Sequence, residues 1–353
     1  MQALIGIIVI LFVGWLLSSE RSMIRWRFIF IGLALQFGLA ILFLKVAWIT
    51  EFLMIFNGLV TAIEQATRVG TEFMFGFLGG GDLPFEPTAG ANVYFFAFRV
   101  LPQILVFSVV VAIFWHWGVL PFIVRILGTL LRKGLNISGV LGTAASASLF
   151  LGMVEAPLVI RAYLKNLSRS EFFAVMTCGM STIAGTMMVI YATIIKDVIP
   201  NGVGHLLAAS IINIIGAMYL SRLIRPELEN SNQEPTPELA LEYSSFMDAV
   251  TRGTSDGLTL AMHIGAMLLV LSSLVALTNG VLDGVSFWGT PLSLEYLMGL
   301  VFAPVAWLIG IPWQESQIAG SIMGTKIVLN EMIAYLQMVA VGDALSKTSQ
   351  LVM

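Results

Sequence analysis

Charge is scarce in this sequence: 11% of its 353 residues are Asp, Glu, Lys or Arg, and the net charge of −3 is small for the length. Such a chain lacks the basic surface that holds a polyanion, which argues against a nucleic-acid partner. There is one cysteine, Cys178, so neither a disulfide framework nor a thiolate metal cluster can form. The three histidines, His116, His205 and His263, lie far apart, with no short ligand spacing and no nucleophile nearby. Ser148 in ASASLF has no visible base. A metal site and a membrane enzyme both lose their usual grounds.

What the chain has instead is oil. Hydrophobic residues make up 58% of it, and the mean hydropathy is +0.92, far outside the soluble range. Apolar runs suited to a hydrocarbon layer, which takes about 20 helical residues, occur near 2–18, 28–49, 100–120, 172–195, 204–221, 259–279 and 322–341. Seven spans in a multi-pass protein within a lipid bilayer are expected. The first run leads into Glu20 and a basic cluster, not a small-residue cleavage site, and reads as a retained span.

Basic residues set the orientation. Arg21, Arg25 and Arg27 follow the first run, Arg125, Arg132 and Lys133 the third, and Arg222 and Arg225 the fifth, while Arg161, Lys165 and Arg169 precede the fourth. The positive-inside rule puts these loops in the cytoplasm and the amino terminus outside. The segment from about 137 to 165 then has cytoplasmic charge on both sides. An arm of about 14 helical residues reaches about 21 Å, too short to cross. It reads as a re-entrant hairpin with LGMVEAP at its tip.

A second broken segment, 297–335, places Gly310, Pro312 and Glu315 between apolar arms, echoing Gly152, Glu155 and Pro157. Its entry is from the opposite face. Two interrupted hairpins of opposite entry are the mark of an inverted-repeat carrier, whose site lies where the tips meet. Breaking a helix in lipid frees amides and carbonyls, and these are tolerable only against protein or a wet cavity. Glu155 and Glu315 would face that cavity. For Glu331, with Lys326 five residues before it and Asn330 beside it, a structural polar contact between helices and a direct substrate role both stay open.

Between the second and third runs, EFLMIFNGLVTAIEQATRV has apolar residues at helical spacing with Glu64, Gln65 and Arg68 off the stripe, and reads as an interfacial helix. Residues 225–242 are acidic and proline-bearing, a solvated cytoplasmic connector. Three divisions result: 1–92 with the N-terminal scaffold helices and interfacial helix, 93–200 with the third span, first hairpin and following broken helix, and 201–353 with the second hairpin.

At this point the motifs become recognisable. GTKIVLNEMIAY at 324–335, GMVEAPLVIRAYL at 152–164 with SRSEFFAVMTCGMSTIAGT after it, and GTEFMFG at 70–76 together resemble the concentrative nucleoside transporter family along the whole chain. The resemblance implies an all-α polytopic membrane protein of the bacterial inner membrane. Its parts would be two re-entrant helical hairpins, discontinuous helices and an interfacial helix, assembled as a homotrimer. The activity implied is nucleoside uptake by cation symport through alternating access, with no cofactor. By position, base contacts fall to Gly152, Met153, Val154 and Glu155 with Met187, and the ribose contact to Glu315. A coupling ion would sit at Ser148, the Leu151 carbonyl, Thr182 and the Ile183 carbonyl, beside Glu155.

Three departures qualify that picture. The tip is G-M-V-E where the family has G-Q-T-E, so two hydrogen-bonding side chains are absent, at about 0.5 to 1.5 kcal/mol each; a nucleobase or modified nucleoside is the alternative substrate. Ser148 replaces the asparagine of sodium-dependent relatives, which favours a proton as driver over sodium. Desolvation makes a carboxyl hold its proton more tightly, so a tip glutamate could carry it. Finally, relatives continue into one more transmembrane helix, which this sequence is expected to lack after Met353. A passive pore is the remaining rival, and it would want a continuous polar lining.

Overall fold

The computed structural model describes residues 2–88, 93–153, 155–196, 198–199, 202–228, 239, 242–282, 284, 286–287 and 290–353, with backbone alone at 44, 47–57, 59, 286–287 and 290–291. Its helices are α1 (Gln2–Leu16), α2 (Trp26–Lys45), α3 (Ala47–Phe75), α4 (Phe96–Arg99), α5 (Leu101–His116), α6 (Val119–Leu135), α7 (Gly139–Ala147) and α8 (Glu155–Val159). They continue as α9 (Arg169–Ser181), α10 (Gly185–Ile195), α11 (Gly202–Ile224), α12 (Phe246–Leu282), α13 (Leu294–Leu308), α14 (Trp313–Val328), α15 (Glu331–Ala340) and α16 (Lys347–Val352). The all-helical expectation needs one small amendment, an antiparallel ladder in which β1 (Ser286–Phe287) pairs with β2 (Thr290–Pro291). Contacts divide the chain into two compact units, Val13–Ile190 with Val203–Ala261, and Met1–Phe12 with Tyr191–Gly202 and Met262–Met353.

Seven uninterrupted spans are not what forms. Five helical stretches are long and apolar enough to cross a bilayer, six if α13 and α14 count as one, among the described residues. The run 2–18 gives a helix of 15 residues, about 22 Å long at 1.5 Å per residue. The run 322–341 is broken at Leu329 and Asn330, where Asn330 leaves the helical backbone and its side chain accepts from the Ile333 amide at 2.9 Å to start α15. Hydropathy registers composition and is blind to such a cap.

In the larger unit, α3 buries Val60, Ile63, Thr67 and Thr71 along one side, while Gln65 and Arg68 are exposed. The GTEFMF stretch forms its last turns, and Gly76 ends it at φ +58°, a backbone state that suits glycine. The basic stretch after the third run is a helix, α6, and not a loop. Leu120, Val124, Gly128 and Leu135 are buried on it and Arg125 points outward, a spacing close to 3.6 residues per turn. Long α12 packs on α5 through Gly253 and Gly257, where an added Cβ would come within 2.9 Å of the Val109 Cα and 2.8 Å of the Leu105 Cα.

The acidic connector also differs from its solvated reading at its start. Glu227 is buried and ion-paired with Arg222, and it accepts from the Ser168 hydroxyl at 3.0 Å. Ser168 is itself the N-cap of α9 in a capping box with Glu171. Residues 229–238 and 240–241 of the connector lie outside the described residues.

In the other unit, α13 and α14 form a hairpin bent by 117°. Gly310, at φ +115°, and Pro312 make the turn. The start of α1 sits against it. The Gln2 side-chain amide donates to the Trp307 carbonyl and, at 2.8 Å, to that of Ile311. Gly6 allows this approach, since a Cβ there would lie 1.9 Å from the Leu308 carbonyl oxygen.

Candidate functional site

The first break begins where α7 stops. Ser138 starts that helix, accepting from the Leu141 amide at 3.3 Å, and the helix runs nine residues, not about 14, before the chain leaves it at Ser148. The next helix, α8, begins at Glu155, whose Oε2 accepts from the Gly152 amide at 2.5 Å. The carboxylate thus caps the short helix α8 against its own tip. Met153 is 55% exposed, and its backbone lies against Gly179 of α9, where a Cβ would come within 3.3 Å. Val154 lies outside the described residues.

A second break, Thr182 to Ala184 between α9 and α10, meets the first. The Thr182 hydroxyl can donate to the Ser148 carbonyl at 3.0 Å or to that of Cys178 at 3.1 Å, and the Gly185 amide donates to the Phe150 carbonyl at 3.2 Å. The Ile183 amide donates to the Ser210 hydroxyl at 3.3 Å. Ser148, Leu151, Thr182 and Ile183 therefore occupy one neighbourhood, with Ser148 and Leu151 buried. The Ser148 hydroxyl donates to the Ala145 carbonyl of its own helix at 2.8 Å. Met187 follows on α10, half-buried.

This region is backed by an apolar cluster of Trp115, Leu120, Val124, Leu151, Ala156 and Val159, with Tyr243 packed against it. His116 belongs to that packing, its Nδ1 lying 3.2 Å from the Tyr243 carbonyl. Burial foremost, then the charge of Asp256 and more weakly that of Glu155, holds the Tyr243 phenol above its ordinary pKa. His205 and His263 are exposed.

Glu155 and Glu315 fall in different compact units. Glu315 stands in the first turn of α14, where its Oε2 accepts from the amide and hydroxyl of Ser346, each at 3.1 Å. Through these bonds it ties the start of α16 to the hairpin. A cavity of this unit that Glu315 does not line is about 290 Å³ in volume, walled by Ile322, Met323 and Met338 with Lys326, Glu331 and Tyr335 as its polar members. That volume is at the lower end of ligand pockets, about 300 to 1,000 Å³.

Glu331 is not partnered by Lys326, as the sequence suggested, nor by Asn330, whose side chain is spent on the cap of α15. Its Oε1 accepts from the Tyr191 hydroxyl at 2.9 Å. Tyr191 lies against Tyr335, ring centroids 4.8 Å apart. Sequence reasoning missed Tyr191 because a tyrosine in an apolar run carries no signal of its partner. The N-E pair at 330–331, a helix cap followed by a carboxylate, was the signal for the rest.

Family models match nearly the whole chain in order. The Na+ dependent nucleoside transporter N-terminus covers residues 5–78, a nucleoside recognition (gate) model covers 97–198, and the Na+ dependent nucleoside transporter C-terminus covers 205–353. An uncharacterized transporter of Haemophilus influenzae is 33% identical over 345 residues, 96% of this chain and 79% of that protein. The nucleoside permease NupC of Helicobacter pylori is 34% identical over 347 residues, 97% and 80%. Among solved structures, CNTnw in an inward-facing substrate-bound state has a TM-score of 0.90 at 32% identity, over 99% of this chain and 84% of that one. Substituted variants of CNTnw are also solved in outward-facing and intermediate states.

Proposed function

The chain belongs to the concentrative nucleoside transporter family, helical membrane transporters and not enzymes, and we propose that it takes up nucleosides by proton symport. The observation that carries this reading is the cavity beside Glu331, because a carboxylate with one oxygen unclaimed is a good acceptor for a sugar hydroxyl. The ribose contact is accordingly assigned to Glu331, which lines this cavity, in place of Glu315, which is not among its lining residues. Gly152, Met153, Val154, Glu155 and Met187 are assigned to the base.

The coupling ion is a co-substrate, and its place is the neighbourhood of Ser148, Leu151, Thr182 and Ile183. Ser148 stands where sodium-dependent relatives carry an asparagine, so the set lacks that amide oxygen, which supports a proton as the driver over a strongly held sodium ion. Sodium coupling is the second reading, favoured by the match to Na+ dependent models. The remaining assignments are re-entrant hairpins, a homotrimer, the inner membrane and an external amino terminus. Only differential binding drives alternating access, so loaded and empty carriers cross while the proton-only form is disfavoured.

Proteoliposomes test the reading. Radiolabelled nucleoside should accumulate under an imposed inward proton gradient, and a protonophore should abolish it. Uptake that follows a sodium gradient at clamped pH and voltage overturns the proton assignment. Equilibration without accumulation under either gradient overturns symport.

A further inference from the structure

The geometry points to Tyr191 as a positioning residue that aims the Glu331 carboxylate, an inference that rests on Glu331 facing the sugar. Tyr191 is 1% exposed and is not part of the cavity wall, so it cannot touch a solute. It touches two residues that do line the cavity, bonding Glu331 through its hydroxyl and meeting the Tyr335 ring at a tilt through its own. Glu331 needs such a brace. It stands in the first turn of α15, on a side chain with several free torsions. Neither neighbour supplies one: the Asn330 oxygen is committed to the Ile333 amide, and Lys326 makes no hydrogen bond or ion pair among the described residues.

The choice of a phenol has a chemical consequence. A lysine or arginine in its place would neutralise the carboxylate and compete with the solute for both oxygens. A tyrosine hydroxyl gives one hydrogen bond, occupies Oε1 and leaves the negative charge. Oε2 then has no described partner and is held in a fixed direction, ready to accept from a hydroxyl of the solute. The ring contact at 4.8 Å and 33° keeps the phenol from swinging away, so Tyr335 serves as wall on one side and brace on the other. Tyr191 thereby acts on selectivity for hydroxylated sugars, without contact to them.

The test compares a ribonucleoside with its 2′,3′-dideoxy analogue in proteoliposomes carrying wild-type protein or Tyr191→Phe, which keeps the ring. Expected is a rise in apparent KM of about tenfold for the ribonucleoside, about 1.4 kcal/mol, with little change for the dideoxy analogue. On a Glu331→Gln background the same change should add nothing. Glu331→Asp, which draws the carboxylate back from the phenol, should show the same selective loss and serves if Tyr191→Phe does not fold. Tyr219→Phe removes another partly buried hydroxyl, one bonded to Gln36 at 2.7 Å, and should leave the KM ratio unchanged. Equal loss for both substrates, additivity with Glu331→Gln, or an unchanged ribonucleoside KM overturns the positioning role. Wild-type protein with saturable uptake but no preference for the ribonucleoside overturns the Glu331 assignment instead.

Discussion

Replacing Gly6 by alanine should unfasten the second hairpin. The new methyl would sit 1.9 Å from the Leu308 carbonyl oxygen, and real Cβ atoms essentially never come closer than 3.0 Å. The methyl is fixed by the backbone of α1 and the oxygen belongs to that of α13, so neither can turn aside. The helices must part by roughly 1 Å or more. At that separation the Gln2 amide loses its two carbonyls, Trp307 and Ile311. Two lost hydrogen bonds cost about 0.5 to 1.5 kcal/mol each, and overpacking a tight interface adds about 1 to 3 kcal/mol. The sum is about 2 to 6 kcal/mol, which corresponds to a fall of roughly 3 to 8 °C in the apparent melting temperature of a chain this long. The assay is heat-induced loss of the monodisperse peak in detergent. Gly38→Ala in α2 is the control, because nothing lies within 4 Å of its Cβ position, and alanine there should be neutral or slightly stabilising by helix propensity. If Gly6→Ala melts with the wild type, α1 does not dock on the hairpin turn in the way described.

Glu315→Gln should leave nucleoside KM within about twofold, because that carboxylate serves the Ser346 amide and hydroxyl and such bonds sit outside the cavity; a large KM increase in uptake assays would return Glu315 to the substrate site. Arg222→Leu strands the buried Glu227 carboxylate and should cost about 3 to 5 kcal/mol, with most of the loss recovered in the Arg222→Leu, Glu227→Leu double variant, as read by detergent melting curves. Gly257→Leu should abolish folded expression, since the Leu105 backbone occupies the space its side chain needs; normal expression and melting would contradict the α5 to α12 packing.

The second hairpin was legible because a glycine and a proline, Gly310 and Pro312, punctuate an apolar run, and that break survives as a 117° bend. Asn330 was equally present in the sequence, yet the run 322–341 reads as one span, because averaged hydropathy is dominated by the apolar residues on either side of a cap. Arg125, Arg132 and Lys133 read as markers of a cytoplasmic loop, but they ride on the helix α6, whose apolar spacing is masked when charges are read as loop markers. At the candidate site, neutral oxygens around Ser148 and Thr182 came from family resemblance, and the fold brings these two residues into hydrogen-bond contact. The Tyr191 to Glu331 bond joins residues 140 positions apart, and no local pattern encodes such a pairing. Glu315 and Glu331 are both carboxylates in broken apolar segments. Only their partners tell them apart.

The length of α12 has its own consequence. Its 37 residues extend about 55 Å, nearly twice a typical hydrocarbon thickness of about 30 Å. The opening turns, with Asp248 bound to Arg252 at 2.8 Å, belong in water, but the apolar remainder of about 26 residues still measures about 39 Å. Hydrophobic mismatch of that size is relieved by crossing obliquely, by about 40° from the normal, or by thickening the surrounding lipid. Acyl-chain length therefore becomes a mechanical load on this helix, and short-chain bilayers would force it to lean furthest.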